Sequence, residues 1–214
     1  LVIRDGMPIA VDALVELGAP AAAVQASPLP SDAQVLARFR PLFHPRGVIV
    51  AGVSSHPGKF GFVVFHNLLR YGFRGALAGV NRDGAEVLGQ RTYRDVADVP
   101  AGTADLVFVC TPAAANAAVL RACARIGVRA AFVASGGYGE SGPDGKVLER
   151  ELVAAADETG MVLAGPNGQG LISTAESMCA QMVAPYPPAG RIAVASQSGN
   201  ILSAFLNYAV LTGV

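Results

Sequence analysis

The sequence predicts an α/β chain built on a doubly wound parallel sheet. Three observations carry that expectation. Short apolar runs rich in Val, Ile, Ala and Phe alternate with stretches of helical period. The runs are continuously hydrophobic, as in strands buried on both faces, and lack the strict alternation of half-exposed ones. The loops after most of them are rich in Gly, Ser, Thr or Pro, the residues of tight turns and of anion cradles. With 52% hydrophobic and 15% charged residues in 214, the chain has ample material for a core.

Taken in order, residues 1–4 and 8–15 read as two extended runs around Asp5-Gly6, a strong two-residue hairpin signal. Residues 19–32 turn to Ala, Pro and Ser, the composition of a semi-extended linker. Strands are expected at 48–53, 76–80, 106–109, 130–134, 161–164 and 192–195. Between them, Phe60, Val64, Leu68 and Tyr71 recur at helical spacing, as do Val119, Cys123 and Ile126, and Leu148, Leu152 and Ala155. A last helical pattern covers 200–211.

Sixteen basic residues balance sixteen acidic ones, so no global field favours a nucleic acid or an anionic membrane, and neither partner is expected. Any anionic ligand must be held locally. Three cysteines form no Cys-x-x-Cys pair, which points to buried thiols in a reducing compartment and away from a disulfide scaffold or a zinc site. No apolar run approaches membrane-spanning length, and Asp5, Asp12 and Glu16 interrupt the early apolar segment, unlike a signal peptide. A cytoplasmic location is expected.

Ligands of an open parallel sheet bind beyond the carboxyl ends of its strands. The loop Gly52-Val53-Ser54-Ser55-His56-Pro57-Gly58-Lys59-Phe60-Gly61 offers backbone N–H groups, hydroxyls and an ammonium at a helix start, a phosphate cradle or a plain tight turn. The second strand ends in Asn81 and Arg82 where a dinucleotide-binding fold carries a ribose-gripping carboxylate, so Arg82 suits a ribose phosphate or is a solvated surface cation. Cys110-Thr111-Pro112, Ser135-Gly136-Gly137-Tyr138-Gly139 and Gly165-Pro166-Asn167-Gly168 are turns or ligand-closing loops. Ser196-Gln197-Ser198-Gly199 precedes the last helix, and two serines with a glycine favour a phosphate there over simple capping. Of three histidines, His44 and His66 read as structural, and His56 lies in the cradle.

The ordered series His44-Pro45, Gly47-Val48-Ile49-Val50-Ala51-Gly52-Val53-Ser54, Pro57-Gly58-Lys59-Phe60-Gly61, Asn67-Leu68-Leu69, Tyr71-Gly72-Phe73, Val80-Asn81, Gly165-Pro166-Asn167, Gly170 and Ser196-Gln197-Ser198-Gly199 resembles the NDP-forming acyl-CoA synthetases, relatives of the succinyl-CoA synthetase α subunit. The resemblance spans about residues 41–214. Ile9-Ala10-Val11-Asp12-Ala13 also looks like the closing strand of the ATP-grasp domain of those enzymes.

The resemblance implies the end of an ATP-grasp domain over 1–18, a linker over 19–32, a Rossmann-like CoA-binding domain over 33–172, and over 173–214 the truncated start of a second, flavodoxin-like α/β domain. It implies coenzyme A held by Ser54, Ser55, Lys59, Phe60 and Gly61, with Asn81 and Arg82 near the phosphoadenosine. Thr111, Pro112, Ser135 and Gly136 would line the pantetheine arm, and Ser196, Ser198 and Gly199 would hold a phosphoryl group. No metal ligand is expected in this chain.

The implied reaction joins a small carboxylic acid to CoA through an acyl phosphate and a phosphohistidine. ATP and Mg²⁺ would act outside this segment, which alone is expected to be inactive, and the whole protein is expected to be a homo-oligomer with ATP-grasp and ligase domains. The sequence departs from the family's pattern at Arg82-Asp83, where Pro and often Lys stand, and at Gly168, where many have Cys. The rival readings are an NAD(P)-binding oxidoreductase or redox sensor and a non-catalytic CoA-binding regulatory module.

Overall fold

The structure, a computed structural model, describes residues 2–4, 7–9, 29–183 and 185–213. The chain divides between Asp32 and Ala33 into two compact units. In the first, β1 (Val2–Arg4) pairs antiparallel with β2 (Met7–Ile9), Arg4 opposite Met7. The pairing is that of the expected hairpin, with strands of three residues each. The Asp5-Gly6 turn, the expected closing strand beyond Ile9 and the linker over 19–28 lie outside the described residues.

Helix α1 (Asp32–Phe43) leads into the second unit. It follows no clear apolar stripe: Leu42 is its one buried residue, while Leu36 is 71% exposed. An acid at its start and Arg40 near its end suit the helix dipole. There follow β3 (Gly47–Ala51), α2 (Phe60–Arg70), β4 (Ala76–Val80), β5 (Leu106–Val109), α3 (Ala113–Arg125), β6 (Ala130–Val133), α4 (Pro143–Thr159) and β7 (Val162–Ala164). The five strands form one parallel sheet in the order β4-β3-β5-β6-β7.

Every residue of β3, β5 and β6 is buried, as their unbroken apolar runs predict. The two faces separate by the strand period of two. Ile49, Ala51, Val107, Val109, Ala131 and Val133 meet Leu120 and Cys123 of α3 and Leu152 and Ala155 of α4. Val48, Val50, Leu106, Phe108, Ala130 and Phe132 meet Val64, Phe65 and Leu68 of α2. Phe108 and Phe132 stack with ring centroids 4.9 Å apart.

The second face is completed by a hairpin that the apolar periodicity did not announce. β8 (Gly170–Ser173) pairs antiparallel with β9 (Met178–Gln181), and Met178 and Ala180 enter the core beside α2. The Asn67 side-chain amide of α2 donates to the Gln181 carbonyl at 2.8 Å. The boundary expected between 172 and 173 therefore falls inside β8.

One expected strand is absent. Residues 192–195 pair with no strand among the described residues, and Ile192 is 74% exposed. A strand needs a ladder partner, and residues 192–195 have none in any sheet of the described residues. The helix expected after it is present as α5 (Gly199–Thr212), which buries Leu206 alone. No helix among the described residues is long and apolar enough to cross a membrane.

At the amino ends of β3 and β5 the Arg46 guanidinium grips Asp105, with Nη2 at 2.6 Å from Oδ1 and Nε at 3.0 Å from Oδ2, while the Arg46 backbone N–H donates to Oδ2 at 2.9 Å. Asp105 is 9% exposed. Its hydrogen bond to Arg46 holds its carboxyl below the ordinary value against the cost of burial. The carboxyl ends of the strands, at the opposite edge, carry the loops of interest.

Candidate functional site

Because β3 connects to β4 on one side and lies beside β5 on the other, the sheet changes direction between β3 and β5, the place where such sheets bind ligands. A cleft of about 450 Å³ opens there, lined by Gly52, Ser54, Gly58, Lys59, Phe60, Gly61 and Cys110. Its shape begins at Gly52, where φ of +88° turns the chain out of β3. Gly52 and Val53 both donate their N–H groups to the Val80 carbonyl at 3.0 Å, so β3 ends at Ala51, two residues before the apolar run does. A Cβ on Gly52 would approach the Cys110 and Thr111 backbone to about 3.0–3.1 Å. One on Gly61 would overlap the Gly52 carbonyl oxygen, so α2 begins directly against the loop.

The loop is held by its own polar atoms. Ser54 Oγ accepts from the His56 N–H at 3.0 Å, and His56 Nδ1 accepts from the Gly58 N–H at 3.1 Å. His56 is therefore a staple of the cradle. Lys59 caps α2 through its backbone, and no side chain caps that helix. The N–H groups of Phe60 and Gly61, in the first turn, have no acceptor among the described residues. Lys59 and Arg82 form none of the ion pairs among the described residues, and both are exposed, as are Ser55 and the ring of Phe60. Free amides, a hydroxyl and unpaired cations thus share one edge, which suits an anion carrying several phosphates.

Asn81 has a different part from Arg82. Its Nδ2 donates to the Val53 carbonyl at 2.7 Å and its Oδ1 accepts from the Asp83 N–H at 2.9 Å. It ties the end of β4 to the cradle, leaving Arg82 as the group pointed to solvent. Across the switch, Cys110 flanks the cleft, but burial pushes its thiol up to about 12, and the same holds for Cys123 and Cys179. These are inert, uncharged thiols at neutral pH, all three free.

Beyond β5 and β6, Thr111 and Ser135 are half-buried, with Pro112 and Gly136 exposed beside them. The loop after β6 shares the glycine-rich look of the cradle, yet its amides are taken. Glu140 Oε1 accepts from the Gly137 N–H at 2.6 Å and the Tyr138 N–H at 3.2 Å, and Glu149 Oε2 accepts from the Gly139 N–H at 2.9 Å. The Gly137, Glu140 and Tyr138 backbone donors hold the Glu140 carboxyl below its usual range.

The start of α5 is also largely self-contained. Ser198 Oγ accepts from the Ile201 N–H at 3.4 Å, Ser196 Oγ accepts from the Ser198 N–H at 3.0 Å, and the absent side chain of Gly199 leaves room for Gln169. Each of the three residues expected to hold a phosphoryl group thus has a local role, and the Ser203 hydroxyl one turn further on donates to Gln169 Oε1 at 3.2 Å. No group of His, Cys, Asp and Glu suited to a metal occurs among the described residues.

Comparison with known proteins matches the family model of the CoA binding domain to residues 46–173. The α subunit of ADP-forming acetate–CoA ligase I of Pyrococcus furiosus is 34% identical over 174 residues, covering 79% of this chain and 37% of that protein. ADP-forming acetate–CoA ligase I of Archaeoglobus fulgidus is 38% identical over 173 residues, covering 81% and 25% respectively. Among solved structures, PH0766 of Pyrococcus horikoshii superposes with a TM-score of 0.76 at 32% identity over 82% of this chain and 40% of that one. The dinucleotide-forming acetyl-coenzyme A synthetase 1 of Ca. Korarchaeum cryptofilum, in complex with phosphate and ADP, gives 0.70 at 32% identity over 81% and 37%. The chain therefore spans about a quarter to two fifths of the length of these relatives.

Proposed function

The chain belongs to the CoA-binding domain family, and we propose that it is the coenzyme-holding segment of an ADP-forming acid–CoA ligase. The observation that carries this reading is the open cradle at the switch point, where the N–H groups of Phe60 and Gly61 and the Lys59 ammonium stand together without partners among the described residues. Ser54, Ser55, Lys59, Phe60 and Gly61 would bind the diphosphate and ribose, and Arg82 the ribose phosphate, with Asn81 bracing the loop between them. The sheet order supports a direction for the remainder. A ligand with its phosphates beside β3 and its nucleoside toward β4 runs its other arm past β5 and β6, where Thr111, Pro112, Ser135 and Gly136 stand.

Coenzyme A would supply the thiol that takes up the acyl group. The residues of this chain bind and orient it, neutralise phosphate charge through Lys59 and Arg82, and keep a dry floor under it with Cys110 and the apolar core. The acid, ATP and Mg²⁺, the phosphohistidine, the ATP-grasp and ligase domains, homo-oligomeric assembly and a cytoplasmic location belong to the same proposal for the whole protein. So does the division into 1–18, 19–32, 33–172 and 173–214, with the β8–β9 hairpin that crosses the last boundary packed on the CoA-binding domain. Ser196, Ser198 and Gly199 are proposed to face the phosphoryl group of that reaction through the first amides of α5.

Isothermal titration tests the reading. Saturable heat with CoA and none with NAD⁺ is expected, because β4 ends in Asn81 and Arg82 where a dinucleotide site needs a carboxylate. Saturation by NAD⁺ with no response to CoA would overturn it.

A further inference from the structure

We propose that Asn116 is a positioning residue that sets the hydrogen-bonding polarity of the arm-binding part of the cleft; the inference rests on the CoA reading above. Asn116 is fully buried near the start of α3, in the run Ala113-Ala114-Ala115-Asn116-Ala117-Ala118. A buried amide among alanines is costly unless every polar atom is satisfied, and Asn is a weaker helix former than the Ala around it. All of its bonds go to the loops at the rim. The amide nitrogen is the atom turned toward the Pro112 and Thr111 carbonyl oxygens, since the reverse would set oxygen against oxygen; it donates to Thr111 Oγ1 at 2.7 Å and to those carbonyls at 3.1 and 3.2 Å, and the amide oxygen accepts from Ser135 Oγ at 2.8 Å and from Tyr138 Oη at 2.6 Å. One side chain thus ties together the ends of β5 and β6 and the fully buried Tyr138.

The direction of these bonds matters more than their number. Thr111 accepts a proton from Asn116, so its own hydroxyl proton is free to donate outward. Ser135 donates its proton to Asn116, so its oxygen is left as an acceptor. In the loops that follow the neighbouring strands β5 and β6, Thr111 therefore keeps a proton to donate while Ser135 has only lone pairs left to accept with. An extended chain carrying secondary amides, with one carbonyl and one N–H to satisfy, matches that pair. The pantetheine arm of coenzyme A is such a chain, and adenosine 3′,5′-bisphosphate, the nucleotide end alone, is not.

The test titrates CoA and adenosine 3′,5′-bisphosphate separately into the wild-type chain, Asn116→Ala and Tyr138→Phe. Asn116→Ala is expected to weaken CoA about tenfold, the scale of losing one or two oriented hydrogen bonds, and to leave the bisphosphate within about twofold. Tyr138→Phe, which deletes a single hydroxyl and should fold, is expected to weaken CoA about threefold with the bisphosphate unchanged. Equal losses for both ligands, or unchanged CoA affinity in either folded variant, would overturn the positioning role. A wild-type chain that binds no CoA at all would instead overturn the functional reading on which it rests.

Discussion

Two loops on one rim of the sheet, residues 52–61 after β3 and 135–142 after β6, look alike as sequence and differ as chemistry. Both are rich in glycine and hydroxyl residues, and both lead toward a helix. In the first, the amides at the start of α2 and the Lys59 ammonium have no partner among the described residues. In the second, Glu140 and Glu149 occupy the amides of Gly137, Tyr138 and Gly139. Glycine lets a backbone turn and expose its N–H groups, but a carboxylate a few residues away decides whether those groups remain available. An anion cradle is thus a loop with free donors and no internal acid to fill it. The stretch 52–61 contains no acidic residue.

The contrast is broken most severely at Gly61. Gly61→Ala sets a methyl group against the Gly52 carbonyl and drives α2 from the loop. Overpacking of this kind costs about 1–3 kcal/mol. Thermal unfolding should show that loss, and titration should show CoA affinity falling by well over tenfold. Lys59→Ala comes next. It removes one charge-assisted contact and should weaken CoA by about tenfold or more, while the melting temperature stays unchanged because Lys59 forms no ion pair among the described residues.

The same two loops explain what was legible in the sequence and what was hidden. Unbroken apolar runs and helical spacing found all five strands of the parallel sheet and helices α2 to α5, since burial on both faces leaves a composition that needs no tertiary knowledge. Helix α1 left no such trace because only Leu42 is buried, and β8 and β9 were missed because their short hairpin packs on α2 through a few residues. Residues 192–195 show the converse: an apolar run without a neighbouring strand stays unpaired. At the site, the cradle was visible as glycine, hydroxyl and lysine in sequence order. The engagement of Asn81 with Val53, the staple at His56 and the Asn116 hub were not, because each depends on a partner that only the fold brings near. A lone Asn inside an alanine run was the one available hint of the hub.

On the filled side of the comparison the expected effects are smaller. Glu140→Ala frees two amides to water and should lower stability by at most about 1 kcal/mol, given the exposure of that carboxylate. CoA affinity should change by less than about twofold, because the amides that Glu140 fills are not those of the cradle and Ser135 is held by Asn116 rather than by Glu140. A large loss of CoA affinity would show that the two loops act together. At neutral pH, the smallest effect on binding is expected at the opposite edge of the sheet. The Asp105 carboxyl is held below its ordinary value by Arg46, so its contribution to stability is complete above the unfolded carboxyl value of roughly 4 and is lost as pH falls through the lower folded value. Melting curves recorded from about pH 7 to about pH 3 should fall more steeply for the wild type than for Asp105→Asn, with CoA affinity at neutral pH the same in both.

The most direct test is a crystal structure of the chain grown with coenzyme A. The diphosphate is expected against the amides of Phe60 and Gly61 with the Lys59 ammonium beside it, and the arm is expected to run past Thr111 and Ser135. Coenzyme seated at the Arg46–Asp105 edge, or with its phosphates displacing Glu140 from the amides of Gly137 and Tyr138, would contradict the account.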